Sequence, residues 1–211
     1  MNDELVEALR AALAQAAPVL VFLAGPNGAG KSTFFKAYLE SLSLPFINAD
    51  DIARRLRDAE SPHPAENVDR LAFQTAEELR ASFLDGRISF CMETVFSDPG
   101  GAKLEFLGKA RSAGYLVVLV FIGLDDPELS IARVIQRVEQ GGHDVPDDKL
   151  RGRFPRTLAN LRKAIPLVDE AYLFDNTPED EPYRFIASFS HGQVVRRTDP
   201  LPSWAAGLPG L

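Results

Sequence analysis

Apolar and polar positions follow two rhythms along the chain. Residues 3 to 16 carry Leu5, Leu9 and Leu13 at i, i+4 spacing, the stripe of an amphipathic helix. At Pro18 the rhythm changes to the continuous apolar run "PVLVFLAG", which stops at a glycine and predicts a buried parallel strand. "KSTFFKAYLESL" returns to helical spacing. "LPFINAD" predicts a second short strand ending in polar residues, and "DIARRLRDA" another helix. The loop "SPHPAEN" interrupts it before a long helix, "AENVDRLAFQTAEELRASFLDG", closed by Gly86.

The alternation continues through the second half. "RISFCMETVFS" predicts a third strand, "DPGG" a loop, "AKLEFLGKARSAG" a helix and "YLVVLVFIGL" the most apolar strand of the chain. Pro127 opens the helix "PELSIARVIQRVEQGG", with Glu128 in its first turn and two glycines after its end. "VPDDKLRGRFPRTLANLRKAI" has helical spacing, with Pro155 expected to kink or split it. "EAYLFDNT" predicts a fifth strand. "YRFIASFSHGQVVRRT" predicts a hairpin turning at His191-Gly192, and the end of the chain is rich in Pro and Gly. Strand-helix alternation of this kind predicts an α/β domain with a mostly parallel sheet and helices on both faces, its ligands at the carboxyl ends of the strands.

Composition narrows the class. The chain has 211 residues, 45% of them apolar, which suits one domain with a substantial core. A net charge of -7 argues against nucleic acid as the main partner. The single cysteine, Cys91, excludes an internal disulfide and suits a reducing compartment. It falls in a predicted buried strand, where a core role outweighs a nucleophilic one. The acidic N-terminal stretch lacks the form of a signal peptide, and no apolar run approaches the roughly 20 residues of a membrane span. A soluble, cytoplasmic protein is the expectation. No Cys/His cluster suggests zinc.

The strand-to-helix junction carries the chemistry. "GPNGAGKS" fits G-x-x-x-x-G-K-[ST] at Gly25, Gly30, Lys31 and Ser32. The turn formed by Gly25, Pro26, Asn27, Gly28, Ala29 and Gly30 would cradle nucleotide phosphates through the backbone N–H groups of its residues other than Pro26, with the helix N-terminus at Lys31 to Thr33. Lys31 would reach the β- and γ-phosphates, and the Ser32 hydroxyl would ligate Mg²⁺. The glycines at 25, 28 and 30 do not fit a dinucleotide fingerprint. A GTPase would carry Asn-Lys-x-Asp and a transporter ATPase Leu-Ser-Gly-Gly-Gln, and both are missing from the sequence. A kinase needs a carboxylate at a neighbouring strand end to receive an acceptor proton, and Asp50 and Glu93 both qualify. The expected fold is therefore α/β of P-loop NTPase type: three layers, α/β/α, with a central, mostly parallel five-stranded sheet and a C-terminal β-hairpin.

"GPNGAGKST", "FINADDIA", "METVFS", "RVIQRVEQGGHDVP", "RGRFPRTLANL" and "YLFDN" together resemble the zeta toxins and their relatives, P-loop kinases similar to UDP-N-acetylglucosamine kinase. The resemblance covers about Val19 to Asn176. It implies a Mg²⁺- and ATP-dependent kinase domain over residues 18 to 200, preceded by an N-terminal helix at 1 to 17 and followed by an irregular tail at 201 to 211. It implies Asp50 as the base for the substrate hydroxyl, Asp51 being a helix-start residue. Glu93, with Thr94 beside it, matches a substrate-contacting acid. Ser97 stands where the family carries an arginine that grips the substrate, a departure because serine cannot clamp a diphosphate bidentately.

Arg133 and Arg137, at i, i+4 on one helix face, correspond to arginines that stabilise the transferring phosphoryl group, with a solvated basic face as the alternative. His143 is implied as a substrate or phosphate contact, Arg153 and Arg156 as lid residues, and Asn176 as a contact to the base. His63, in a Pro-flanked loop, and His191, at the hairpin tip, are read from those positions as structural. The implied acceptor is a sugar nucleotide such as UDP-N-acetylglucosamine, and the implied partner an antitoxin protein. The alternatives are a kinase for another metabolite or nucleotide, and a nucleotide-dependent binding protein without phosphotransfer.

Overall fold

A computed structural model describes residues 2–59, 65–139 and 145–211. Its centre is one sheet built from β1 (Val19–Ala24), β2 (Phe46–Ile47), β3 (Phe90–Thr94), β4 (Leu116–Gly123), β5 (Glu170–Asp175), β6 (Arg184–Ser190) and β7 (Gln193–Arg197). The strand order is β2-β3-β1-β4-β5-β6-β7. The first five strands run parallel, as expected, and the C-terminal hairpin extends the same sheet antiparallel to β5. The sheet therefore has seven strands, with His191 and Gly192 at the hairpin tip in positive-φ conformations.

Along β1, Leu20, Phe22 and Ala24 enter one core while Val19, Val21 and Leu23 enter the other, the period-2 consequence of burial on both faces. The first core is covered by α4 (Ala65–Asp85), α5 (Ala102–Ser112) and α7 (Asp147–Ala164) through Ala76, Leu107, Ala110, Leu161 and Ala164. The second is covered by α1 (Asn2–Leu13), whose Leu5 and Leu9 are buried, and by α2 (Lys31–Phe34). The three layers are those the alternation predicted. Helix α2 continues through a π turn at Phe35–Leu39 and a 3₁₀ turn at Glu40–Leu42, and Phe35 stacks on Phe46 with ring centroids 3.7 Å apart. The remaining helices are α3 (Ala49–Asp58) and α6 (Pro127–Glu139).

Helix α7 corrects one expectation. It runs unbroken through Pro155. Proline removes one backbone donor, and side chains just after it anchor the helix: the Thr157 hydroxyl contacts the carbonyls of Val95 (2.9 Å) and, one turn back across Pro155, of Arg153 (3.1 Å), and Asn160 Nδ2 donates to Phe96 (3.0 Å) and Asp98 (3.1 Å). The segment at 201 to 211 forms turns, yet Trp204, Ala205 and Leu208 are buried in the first core. Cys91 is buried, and that burial pushes its thiol well above the ordinary cysteine range. Among the described residues, no helix is long and apolar enough to cross a membrane.

Candidate active site

Strand β1 lies between β3 and β4, so the turn that follows it opens at the point where the strand order reverses. Its glycines are required by close approach. A Cβ on Gly25 would lie 2.2 Å from the Ile122 carbonyl oxygen, and one on Gly30, at φ +84, would lie 2.7 Å from the Tyr183 hydroxyl. Neighbouring elements brace the turn. Ser130 Oγ donates to the Asn27 carbonyl (2.7 Å), Asn176 Nδ2 to Ala29 (3.0 Å) and the Tyr183 hydroxyl to Gly30 (2.9 Å). Thr33 hydrogen-bonds the Tyr183 side chain.

Lys31 starts α2 and is 6% exposed. Its Nζ donates to the Pro26 carbonyl (2.9 Å) and lies 3.8 Å from Glu93 Oε1. Burial lowers its pKa, against the opposing charges of Glu93 and Asp50. Glu93, at the end of the adjacent β3, accepts hydrogen bonds at Oε2 from Ser32 Oγ (2.9 Å) and Asn48 Nδ2 (2.8 Å). Burial raises its pKa, partly offset by Lys31 and the Ser32 bond. Glu93 thus sits against the phosphate turn itself. The side chain that ties it to the next strand is Asn48, which the sequence reading left without a role.

Asn48 also caps α3: its Oδ1 accepts the Asp50 N–H (2.8 Å), which fixes Asp50 in the first helical turn. An asparagine directly before "ADD" was a readable N-cap signal. Asp51 lies in the same turn and pairs with Arg54 (2.7 Å). Two cavities meet here, and Asn48 and Asp50 line both. One, of about 970 Å³, also reaches Ser32 and Arg137. The other, of about 460 Å³, is lined by Glu93, Thr94, Ser97, Arg153 and Arg156. Arg80 and Lys103 line the second as well, two cations to which the sequence reading gave no role.

The remaining expected residues are placed as follows. Arg133 Nη1 donates to the Asn176 carbonyl (2.8 Å), whereas Arg137 lies near Ser32 and Asp50, where its charge acts on Lys31. The two arginines of one helix face therefore meet different neighbours. Asn176 is 9% exposed; its amide donates to Ala29 and accepts the Tyr183 N–H (3.3 Å), so it clamps the turn. Thr94 Oγ1 accepts the Phe96 N–H (3.0 Å), and the Ser97 carbonyl accepts Arg156 Nε (3.0 Å). His143 and His63 lie outside the described residues.

The oxygen donors at Ser32, Glu93 and Asp50 are hard ligands of the kind Mg²⁺ takes. Among the described residues, no group of three or more His, Cys, Asp or Glu side chains forms a complete cage.

A family model described as Zeta toxin matches residues 2–177. An uncharacterized protein of Haemophilus influenzae is 29% identical over 134 residues, which is 64% of this chain and 91% of that one. Among solved structures, AvrRxo1-ORF1:AvrRxo1-ORF2 with sulphate ions superposes with a TM-score of 0.67 at 19% identity, covering 92% of this chain and 67% of the other. The same pair with ATP gives 0.66 at 19% identity, with coverage of 90% and 67%. The PezAT chromosomal toxin-antitoxin system of Streptococcus pneumoniae gives 0.61 at 17% identity, with coverage of 89% and 79%. At these identities the structural likeness speaks for the fold.

Proposed function

The chain belongs to the zeta toxin family of P-loop kinases, and on that premise we propose that it transfers the γ-phosphate of ATP to a hydroxyl of a sugar nucleotide such as UDP-N-acetylglucosamine. The observation that carries this reading is the position of Asp50, which lines both the cavity reaching the Ser32 hydroxyl and the basic cavity beyond it. A carboxylate between a phosphate turn and a pocket of cations is where an acceptor hydroxyl has to be deprotonated. The solved relative with ATP supports ATP as the donor.

In this reading the acceptor oxygen bonds to the γ-phosphorus as the bond from that phosphorus to the ADP oxygen breaks. The hydroxyl proton passes to Asp50. Lys31, almost fully buried, presents a weakly screened ammonium to the phosphate chain. Arg137 adds positive charge on the Ser32 side, while Arg133, with Asn176, holds the turn in shape. Ser32 and Glu93 are the residues that would hold Mg²⁺, which when bound neutralises charge on the β- and γ-phosphate oxygens. Arg153 and Arg156 line the acceptor side as lid residues.

Ser97 in place of the family arginine favours a second reading, a kinase for a different anionic metabolite. The two-chain PezAT and AvrRxo1 systems support a protein partner of antitoxin type for this chain. The test is phosphate transfer from Mg-ATP to UDP-N-acetylglucosamine, followed by product mass, with Lys31→Ala as control. Wild-type transfer lost in Lys31→Ala is expected. ATP binding without transfer to any hydroxyl acceptor would refute the proposal.

A further inference from the structure

Arg80 is 3% exposed on α4, yet it lines the cavity beyond Asp50. Its guanidinium pairs with Glu77, one turn earlier, and Lys103 of α5 pairs with the same Glu77 oxygen. Glu77 thus bonds both cations, while Asp98, which lines the same cavity, adds a second negative charge that acts on Lys103. The Nε of Arg80 is buried with no hydrogen-bond partner among the described residues. A buried guanidinium left partly unsatisfied costs stability, and an apolar side chain would fill the space at lower cost. Burial and the Arg80 charge both lower the Lys103 pKa, while Glu77 and Asp98 oppose them.

Phe73 lies beside this pair. It is 55% exposed, lines the same cavity, and has Lys103 Nζ 5.7 Å from its ring centroid. An exposed aromatic plane next to two cations, one of them with an unpartnered guanidinium N–H, matches a base stacked beside a diphosphate. Ser97 offers only a hydroxyl to the cavity, so an anion there has to be gripped from elsewhere.

We propose that Arg80 and Lys103 select the acceptor by holding its anionic group, that of a nucleoside diphosphate, with Glu77 as the placeholder the ligand displaces and Phe73 as the platform for its base. This rests on reading the same cavity as the acceptor site, and it moves the anion clamp from the loop after β3 to helices α4 and α5.

The test is calorimetric titration of UDP into the full chain, its phosphate turn already filled with Mg²⁺ and a non-hydrolysable ATP analogue so that UDP cannot enter there. UDP is expected to bind the loaded wild type. Lys103→Met and Arg80→Lys should each weaken binding about tenfold, the latter because lysine cannot form the guanidinium fork. Glu77→Gln should tighten it severalfold by removing the competing carboxylate, a gain that a purely structural role would not produce. Affinity for the ATP analogue should stay unchanged in all three.

Failure of UDP to bind the loaded wild type, equal binding by Lys103→Met, or weakening by Glu77→Gln overturns the proposal. The two readings separate cleanly. UDP binding that depends on Lys103 without phosphate transfer leaves the clamp standing and removes the catalytic assignment. Transfer indifferent to Lys103 keeps the kinase and removes the clamp.

Discussion

Replacing Trp204 by alanine removes a side chain that is 3% exposed and joins the C-terminal segment to the ends of β4 and β5. Its ring packs on Phe121, with centroids 5.5 Å apart, and lies so close to the Gly123 backbone that a Cβ there would fall 2.2 Å from it. Truncating a buried aromatic of this kind costs about 3–5 kcal/mol, a large part of the roughly 5–15 kcal/mol that stabilises a domain. The indole N–H also donates to Asp175 Oδ1 (3.1 Å). That carboxylate keeps Thr177 and Arg184 as partners, so Trp204→Phe, which removes the donor and part of the ring, should cost less than Trp204→Ala, about 1–3 kcal/mol. Urea unfolding followed by far-ultraviolet circular dichroism measures both. Fluorescence will not serve, because Trp204 is the only tryptophan in the chain. A loss below about 1 kcal/mol in Trp204→Ala, at unchanged m, would mean that the segment is a detachable appendage and that the core assignment is wrong.

Three further outcomes are expected. Asn176→Ala leaves the Ala29 carbonyl and the Tyr183 N–H without their partner, so unfolding free energy should fall by about 1–3 kcal/mol and ATP affinity should weaken as the turn loosens; unchanged values in thermal melts and nucleotide titration would remove its bracing role. Burial works to raise the Glu77 pKa, but the hydrogen bond from Lys103 and the charge of Arg80 outweigh it, and the group lies below its ordinary value of 4.5. A lowered carboxylate contributes stability above its unfolded pKa and loses it as pH falls through the folded one, so Glu77→Gln should lower the melting temperature at neutral pH, and the gap to wild type should shrink as the pH is lowered into acid. A gap that stays constant with pH would contradict this. Arg133→Ala should weaken ATP binding through the Asn176 carbonyl it holds, with the acceptor KM unchanged in steady-state kinetics.

The turn at Gly25 to Ser32 was legible because its chemistry is local: consecutive backbone groups cradle phosphate, so the glycine spacing is the signal. The parallel strands were legible because burial on both faces demands continuous apolar runs, as in Val117 to Ile122. What stayed hidden depends on distant partners. Arg80 and Lys103 sit in charge-rich helices, and only the fold brings them to one Glu77 oxygen. Trp204 lies in a Pro- and Gly-rich segment whose composition says nothing about the Gly123 surface it covers. Pro155 carried a local expectation of a kink or split, and the helix is not split there; Thr157 and Asn160, just after it, bond to the loop after β3. Glu93 was legible as an acid at a strand end, but its bond to Ser32 was not.

The most direct test is the rate of phosphate transfer from Mg-ATP to UDP-N-acetylglucosamine by Asp50→Asn, measured beside its ATP affinity. The substitution keeps the side chain's shape and removes its capacity to take a proton. A fall in kcat of about 10²- to 10⁴-fold with ATP affinity unchanged is the expected result. A variant that transfers phosphate at the wild-type rate would contradict Asp50 as the base, and with it the cavity assignment built on its position.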